Sequence, residues 1–207
     1  MCNFAYTTSY LRVMNDPHYD YHRFQQHLAP HSNESLVQVI AARAALGKQL
    51  CKGQSLSIKP EQLLRQWGFT QADTEPIERA IAAAWNARLS AYAPYSHFHV
   101  GASVLTSTGS IWVGANIENS SYGLTLCAER VALASARLNE GSALMLVCIV
   151  AKTDEPITPC GACRQWIVEL APHAVIGMLG NEGVERWCTP EELLPWAFNA
   201  ALFHQNT

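Results

Sequence analysis

The sequence predicts an α/β fold in which helices pack on a mixed β-sheet. From residue 97 onward, short runs rich in apolar and β-branched residues alternate with segments of helical periodicity. Hydrophobic residues make up 49% and charged residues 15% of the 207 residues, as in an ordinary folded protein. Apolar strands separated by helices are typical of layered α/β structures, so we expect the helices to cover the sheet.

The first third of the chain is predicted to be a mainly helical extension, residues 1–75, ahead of the main domain, residues 76–207. Two helices are expected in the extension. Apolar residues at helical spacing predict one over 33–46, and a proline in the first turn predicts a short one over 60–67. The polar run at 70–75 predicts a linker between the two parts.

The main domain is predicted to begin with a helix at Pro76 and to continue with a β-hairpin. The hairpin joins strands over 99–106 and 110–116 through a turn at Gly109. The apolar residues of the helix that we expect to face inward are Ile77, Ala80, Ile81, Ala84 and Leu89.

The remaining elements alternate between helices and strands. A cap at Thr189, a proline at the next position and two acidic residues predict the start of a final helix. The others are helices over 125–138 and 160–170, a fully apolar strand over 144–152, and short strands over 174–179 and 184–188.

Two motifs on the predicted helices carry the chemistry. Cys127-Ala-Glu129 supplies one thiolate and one carboxylate, and Pro159-Cys160-Gly-Ala-Cys163 supplies two more thiolates. Three protein ligands leave a tetrahedral zinc ion with an open position, which is typical of a catalytic site. The sequence therefore predicts one catalytic Zn²⁺ per chain. A structural zinc site or a chance cluster is the alternative, although a structural site would need a fourth protein ligand.

The motifs are expected to open helices, where free N–H groups stabilise thiolates. Zinc turns water into hydroxide near neutral pH, and Glu129 is expected to carry that water's proton to the reacting ring and then to the departing amine. Three thiolates place excess negative charge on the metal. We therefore hypothesise that Arg130, Arg164 or both donate to a ligand sulfur and withdraw charge.

Composition limits the compartment and the partners. Seven cysteines with no apolar leader at the N-terminus argue against a disulfide framework, and no run approaches eighteen apolar residues. A cytoplasmic protein without a membrane contact is expected. The net charge is −3, and acidic residues outnumber basic ones after residue 75, which argues against nucleic acid as a partner.

Five segments resemble the cytidine deaminases of pyrimidine salvage, and the resemblance covers residues 77–200. It implies a three-layer α-β-α fold with a mixed five-stranded sheet, and a homotetramer whose active sites lie at subunit contacts. The segments are Ala93-Pro-Tyr-Ser-His-Phe-His-Val-Gly-Ala102, Asn116-Ile-Glu118-Asn119, Cys127-Ala-Glu-Arg130, Pro159-Cys-Gly-Ala-Cys-Arg-Gln165 and Glu192-Leu-Leu-Pro-Trp-Ala-Phe198.

The resemblance also implies roles for individual residues around a small-molecule nucleoside. Phe98 would pack on the pyrimidine, and Asn116 and Glu118 would hold the ribose hydroxyls. The backbone N–H of Ala128, together with Glu129, would read the edge of the base. The pocket would be completed by Tyr122 and by Phe198 of the partner subunit. A carboxylate at the ribose repels phosphate, which favours a free nucleoside over a nucleotide.

The implied reaction is the hydrolytic deamination of cytidine and deoxycytidine to uridine and deoxyuridine. A deaminase of a modified cytosine nucleoside or of a cytosine-containing antibiotic is an alternative with the same chemistry. A nucleic-acid editing deaminase and a non-catalytic nucleoside-binding module on the same fold remain further alternatives.

Two features depart from the family pattern. His99 stands where a small or apolar residue is usual, either as a solvated strand residue or in contact with the site. The extension, residues 1–75, has no counterpart in the small tetrameric enzymes; it is a dimerisation or docking module, a cover on the tetramer or a partly disordered tail. Its histidines form a solvated face or a second metal site, and they are His18, His22, His27 and His31.

Overall fold

The computed structural model describes residues 71–181 and 185–198. The helices predicted over 33–46 and 60–67 and the four-histidine cluster lie outside these ranges. The elements in chain order are α1 (Gln71–Arg88), β1 (Val100–Thr106), β2 (Ile111–Ala115), a 3₁₀ turn (Tyr122–Leu124), α2 (Ala128–Asn139), β3 (Leu144–Ala151), α3 (Gly161–Leu170), β4 (Val175–Leu179), β5 (Glu185–Cys188) and α4 (Pro190–Leu193). Within these ranges no helix has both the length and the apolar character needed to cross a membrane.

The five strands form one mixed sheet in the order β2-β1-β3-β4-β5. β1 pairs antiparallel with β2 and with β3, and β4 pairs antiparallel with β5. The single parallel pair is β3 with β4, which α3 connects. This sheet confirms the predicted fold class.

Helices cover both faces of the sheet, which gives three layers. One core lies between α1 and the sheet, where Ile77 and Ala84 pack with Leu146 and Trp187. The other core lies under α2, α3 and α4, where Leu133 and other apolar residues pack on the opposite face. Every residue of β1 and of β3 is buried, which explains why β3 reads as a continuous apolar run in the sequence.

Two strand glycines allow the helices to approach the sheet closely. A Cβ at Gly101 would lie 2.1 Å from the carbonyl oxygen of Ala84 in α1. A Cβ at Gly114 would lie 2.4 Å from the carbonyl oxygen of Ala128 at the start of α2. Only glycine avoids these clashes. Gly114 therefore allows the N-terminus of α2, where the predicted metal motif lies, to pack directly on strand β2.

The beginning and end of α1 differ from the prediction. The helix begins at Gln71, so the linker predicted at 70–75 is wrong for residues 71–75, and Pro76 lies inside the helix. Thr74 is buried, which shows that tertiary packing extends the helix through a polar run. Leu89 was expected to face inward but is 74% exposed, because α1 ends at Arg88 and the chain turns there.

Candidate active site

The three motif cysteines converge where two helices begin. Cys127 is the N-cap of α2, Cys160 is the N-cap of α3, and Cys163 lies buried in the first turn of α3. The Sγ atom of Cys160 is 3.8 Å from that of Cys127 and 3.5 Å from that of Cys163. All three sulfur atoms lie within 4.8 Å of one another.

This spacing fits a tetrahedral zinc ion. Zn–S bonds of about 2.3 Å at tetrahedral angles place two sulfur ligands about 3.8 Å apart. The described residues bring together three thiols and no fourth histidine, cysteine or carboxylate ligand in the same group, so a bound metal would keep one position open.

The thiols influence one another strongly. A hydrogen bond from Cys163, together with the Arg130 guanidinium, lowers the pKa of Cys127 to about 5 against the opposing effect of burial. The hydrogen bond to Cys127 and burial raise the pKa of Cys163. Of Cys127 and Cys163, Cys127 is therefore the first to become a thiolate, the form that binds metal.

Glu129 lies in the first turn of α2 beside the thiol cluster and is 5% exposed. Burial, reinforced by the charge of Cys127, raises the pKa of Glu129, although hydrogen bonds from its own backbone N–H and from Cys163 oppose the shift. A carboxyl group whose pKa is raised toward neutrality can both accept and return a proton during a reaction.

The two arginines that follow the ligands have different contacts. The Arg130 guanidinium donates to the carbonyl oxygen of Thr125 at 2.8 Å and to Cys127 Sγ at 3.8 Å. Arg164 donates to the carbonyl oxygens of Pro159 at 2.9 Å and Leu193 at 3.0 Å. Arg130 therefore touches a ligand sulfur, whereas Arg164 braces the loop before Cys160 and the end of α4.

A short backbone pairing places the predicted ribose-binding residues next to the metal motif. Ile117 and Leu126 exchange two N–H···O bonds of 2.9 and 3.0 Å. Asn116 and Glu118 flank Ile117, and Cys127 follows Leu126. The segment after β2 and the start of α2 are thus held side by side.

Asn116 and Glu118 both hold the loop that carries Phe98. The Asn116 amide, which is 8% exposed, accepts from the N–H of Val100 at 2.8 Å and donates to the carbonyl oxygen of Phe98 at 2.9 Å. The Glu118 carboxylate accepts from the N–H of Tyr95 at 2.9 Å. The hydrogen bond from the Ser96 side chain is the main interaction that lowers the pKa of Glu118, and desolvation opposes it.

The remaining predicted pocket residues lie on the surface of the single chain. Phe98 is 42%, Tyr122 is 74% and Phe198 is 59% exposed. Tyr122 meets Tyr95 edge-on with ring centroids 6.0 Å apart. The carbonyl oxygen of Phe198 accepts from the Gln165 side chain of α3 at 2.7 Å.

Residues 74–179 match the family model described as the cytidine and deoxycytidylate deaminase zinc-binding region. The chain belongs to this deaminase family. That match confirms the predicted zinc-dependent enzyme class, since the thiol cluster lies inside the matched segment and has the spacing that the metal needs.

Individual relatives agree with this family membership. The chain is 50% identical over 121 residues to a cytidine deaminase of Halalkalibacterium halodurans, covering 58% of this chain and 92% of that one. It is 43% identical over 124 residues to a cytidine deaminase of Sporosarcina psychrophila, covering 59% and 91%. The crystal structure of a cytidine deaminase from Burkholderia pseudomallei matches with a TM-score of 0.56 at 44% identity, over 58% of this chain and 98% of that one.

The first residue of α2 adds a backbone group to this deaminase site. Ala128 is completely buried and opens the helix directly after Cys127. The N–H groups of the first turn of a helix have no partner within the helix, so they can meet an acceptor placed beyond its end. The predicted contact of Ala128 with the edge of the base is consistent with this position and stays a prediction.

Sequence reasoning missed two residues near the site. Ser96 bonds both Phe98 and Glu118, and Tyr95 bonds Glu118 through its N–H and packs against Tyr122. Both lie inside the motif at 93–102. Resemblance to a family identifies the motif as a stretch of sequence, but it does not show which residues of the motif contact one another.

His99 is half-buried, and its Nδ1 lies 3.1 Å from the carbonyl oxygen of His97.

Proposed function

We propose that this protein hydrolyses cytidine and deoxycytidine to uridine and deoxyuridine, with water consumed and ammonia released. The observation that carries the proposal is the three-thiol cluster, with neighbouring sulfur distances of 3.5 and 3.8 Å, beside the buried Glu129. The names of the relatives support the choice of substrate.

Cys127, Cys160 and Cys163 would hold one Zn²⁺, which when bound supplies a water activated near neutral pH. Glu129 takes a proton from the attacking water and delivers it to the ring nitrogen of the base. After the water oxygen has bonded to the ring carbon, Glu129 takes its remaining proton and gives it to the amine, which leaves as ammonia as the ring carbonyl forms. Burial raises the pKa of Glu129. The carboxylate is then basic enough to accept a proton, and the protonated form can still give it up, so the raised pKa favours both halves of the transfer.

The other residues orient the nucleoside. Phe98 packs on the pyrimidine ring, and the Ala128 N–H and Glu129 bind the edge of the base. Asn116 and Glu118 hold the ribose hydroxyls; each has hydrogen-bonding capacity beyond its present bonds to the Phe98 loop. Arg130 withdraws charge from the Cys127 sulfur. Arg164 bonds the carbonyl oxygen of Pro159 and so holds the chain in place just before Cys160.

We further propose a homotetramer in which each pocket is completed by Tyr122 of the same chain and by the partner subunit's Phe198. Their exposure in the single chain supports this arrangement. A free nucleoside substrate and thiol ligands that need a reducing compartment support a role in pyrimidine salvage in the cytoplasm. We also propose a division into an extension, residues 1–75, and a catalytic domain, residues 76–207. The family match over residues 74–179 supports this division, although helix α1 already begins at Gln71.

The test is turnover of cytidine and deoxycytidine by the purified, zinc-loaded protein, followed by the fall in ultraviolet absorbance. Glu129→Gln should keep its zinc and lose activity by about 10²–10⁴-fold, because the proton carrier is gone. Glu169→Gln removes an exposed carboxylate of α3 and should leave activity unchanged.

Failure of the zinc-loaded wild type to deaminate either nucleoside would refute the proposal. Turnover of a modified cytosine nucleoside alone would assign the chain to the alternative substrate class.

A further inference from the structure

The backbone of Phe98 is held by side chains on both sides. Its N–H donates to Ser96 Oγ at 3.0 Å, and its carbonyl oxygen accepts from Asn116 Nδ2 at 2.9 Å. Neither the N–H nor the carbonyl oxygen of Phe98 takes part in the hydrogen bonds of the sheet, since β1 begins only at Val100. The direction of the Phe98 ring therefore depends on these two side chains.

Ser96 connects this backbone group to Glu118. The hydroxyl accepts from the Phe98 N–H and donates to Glu118 Oε1. A hydroxyl can donate one bond and accept others, so both contacts are satisfied at once. The second oxygen of Glu118 accepts from the N–H of Tyr95 at 2.9 Å and from the N–H of Ser96 at 3.2 Å.

Burial does not fix this loop. Every residue of 94–98 is exposed, and Ala93 is the buried residue that anchors its beginning. His97, between Ser96 and Phe98, has a φ of +56°, which costs free energy for a residue with a side chain. A turn bond from the N–H of His97 to the carbonyl oxygen of Ala93 at 3.0 Å and the edge contact of Tyr95 with Tyr122 support part of this loop. The backbone around Phe98 itself is held by the hydrogen bonds that involve Ser96, Glu118 and Asn116.

We infer that Ser96 is a positioning residue that joins the ribose-binding Glu118 to the base-stacking Phe98. The inference rests on the proposed function, which gives those two residues their substrate contacts. A ribose hydroxyl bound at Glu118 then reinforces the orientation of the Phe98 ring, because both are bonded to one hydroxyl. The coupling favours a complete nucleoside over a free base.

The test compares Ser96→Ala with Ser96→Thr in the zinc-loaded full chain. Loss of a hydrogen bond to a charged group predicts about a tenfold rise in KM for cytidine in Ser96→Ala. We expect kcat to change less than about threefold, since the thiols and Glu129 are not touched. Ser96→Thr keeps the hydroxyl and should recover most of the affinity. Ser90→Ala, an exposed serine six residues upstream, is the matched control and should behave as wild type.

A double-mutant cycle measures the coupling directly. In the wild-type chain, which has the Ser96 hydroxyl, Phe98→Leu and Glu118→Gln should have non-additive effects on kcat/KM. The reason is that a change at one of the two residues alters the other through this hydroxyl. In the Ser96→Ala background the same two changes should be additive. Additivity in both backgrounds, or a wild-type KM in Ser96→Ala, would overturn the inference.

A carbon NMR titration of the Glu118 carboxyl group gives a readout that does not need turnover. The pKa of Glu118 should rise toward its ordinary value in Ser96→Ala, because the hydrogen bond that lowers it most is lost. An unchanged titration would contradict the inference. If Ser96→Ala does not fold, Ser96→Cys, a weaker donor in the same place, replaces it in every comparison. A wild type inactive on both nucleosides would refute the proposed function, whereas the titration would still decide the role of Ser96.

Discussion

Arg130 lies in the first turn of α2 and contacts two parts of the segment that carries Cys127. One bond holds the Thr125 carbonyl oxygen at 2.8 Å, and the other reaches Cys127 Sγ at 3.8 Å. A cation at a ligand sulfur draws electron density away from it and so partly restores the Lewis acidity that thiolate ligands reduce. Through its bond to Thr125, the Arg130 side chain also holds the segment that leads into α2.

We therefore predict that Arg130→Gln lowers kcat for cytidine or the affinity for zinc by roughly 10–100-fold, the range typical of groups that bond a metal ligand. Steady-state kinetics and a zinc-chelator competition would measure the two effects. Arg137→Gln removes the same charge from an exposed position near the other end of the same helix and is the control. Wild-type kinetics together with wild-type zinc retention in Arg130→Gln would contradict the prediction.

At the residue scale, the sequence was sufficient to predict the thiol cluster and insufficient for the side-chain contacts around it. Cys127, Cys160 and Cys163 are recognisable because a Cys-x-x-Cys pair with a third cysteine beside a glutamate is typical of a zinc site. Arg164 shows the limit. It directly follows Cys163, whereas Arg130 lies three positions after Cys127, yet Arg164 donates to the carbonyl oxygens of Pro159 and Leu193. Which way a long side chain turns depends on distant segments that no local pattern contains.

At the element scale, Glu140 joins the end of α2 to the β1–β2 hairpin. Its carboxylate accepts from Trp112 Nε1 at 3.0 Å in β2 and from Thr106 Oγ1 at 3.1 Å at the end of β1. Ser142 Oγ donates at 2.7 Å, and the Thr108 hydroxyl in the turn donates as well. One carboxylate thus ties a helix end, a strand and a turn together, at the opposite end of α2 from the thiol cluster.

We predict that Glu140→Gln lowers the free energy of unfolding by about 1–3 kcal/mol at neutral pH, because an amide meets several donors with one acceptor oxygen. Partial burial acts to raise the pKa of Glu140, but the hydrogen bonds from Thr108, Trp112, Ser142 and Thr106 together lower it. A folded-state pKa below the unfolded value gives stability that is present above pH about 4.5 and lost as the pH falls through the folded pKa.

Urea unfolding at pH 7 and at a pH below the folded pKa of Glu140 would measure this effect. The difference in unfolding free energy between wild type and Glu140→Gln should shrink at the lower pH, where the native carboxylate is protonated. Glu169→Gln, an exposed carboxylate of α3, should show no such difference. A gap of the same size at both pH values would show that the charge of Glu140 is not what stabilises the hairpin.

Strands were easier to predict than the ends of helices. β3 is buried on both faces and is apolar throughout, so its bounds at Leu144–Ala151 agree closely with the prediction over 144–152. The start of α1 was missed because residues 71–75 are polar and precede a proline, both of which are typical of a boundary. Burial of Thr74 against the fold stabilises that extra turn, and such packing is not visible in local periodicity.

At the scale of the whole molecule, many large apolar side chains around the site are exposed in the single chain. They include Tyr92, Tyr95, Phe98, Ile117, Tyr122, Leu124, Leu126, Trp166, Trp196 and Phe198. Exposed apolar side chains in such number are typical of surfaces that another protein surface covers. Their position supports the proposed homotetramer, in which the same contacts that bury them would also complete the nucleoside pocket.

A charge placed in this surface should therefore separate the subunits. Four chains of 22.8 kDa give a tetramer of about 91 kDa, which light scattering after gel filtration would measure. Leu124→Asp, at a side chain that is 67% exposed beside Tyr122, should dissociate the tetramer and lower cytidine turnover by at least tenfold, because a buried unpaired carboxylate is strongly unfavourable at a contact. Leu138→Asp changes an 85% exposed leucine near the far end of α2 and should keep both mass and activity. If Leu124→Asp remains a fully active tetramer, the Tyr122–Leu124 turn lies outside the subunit contacts.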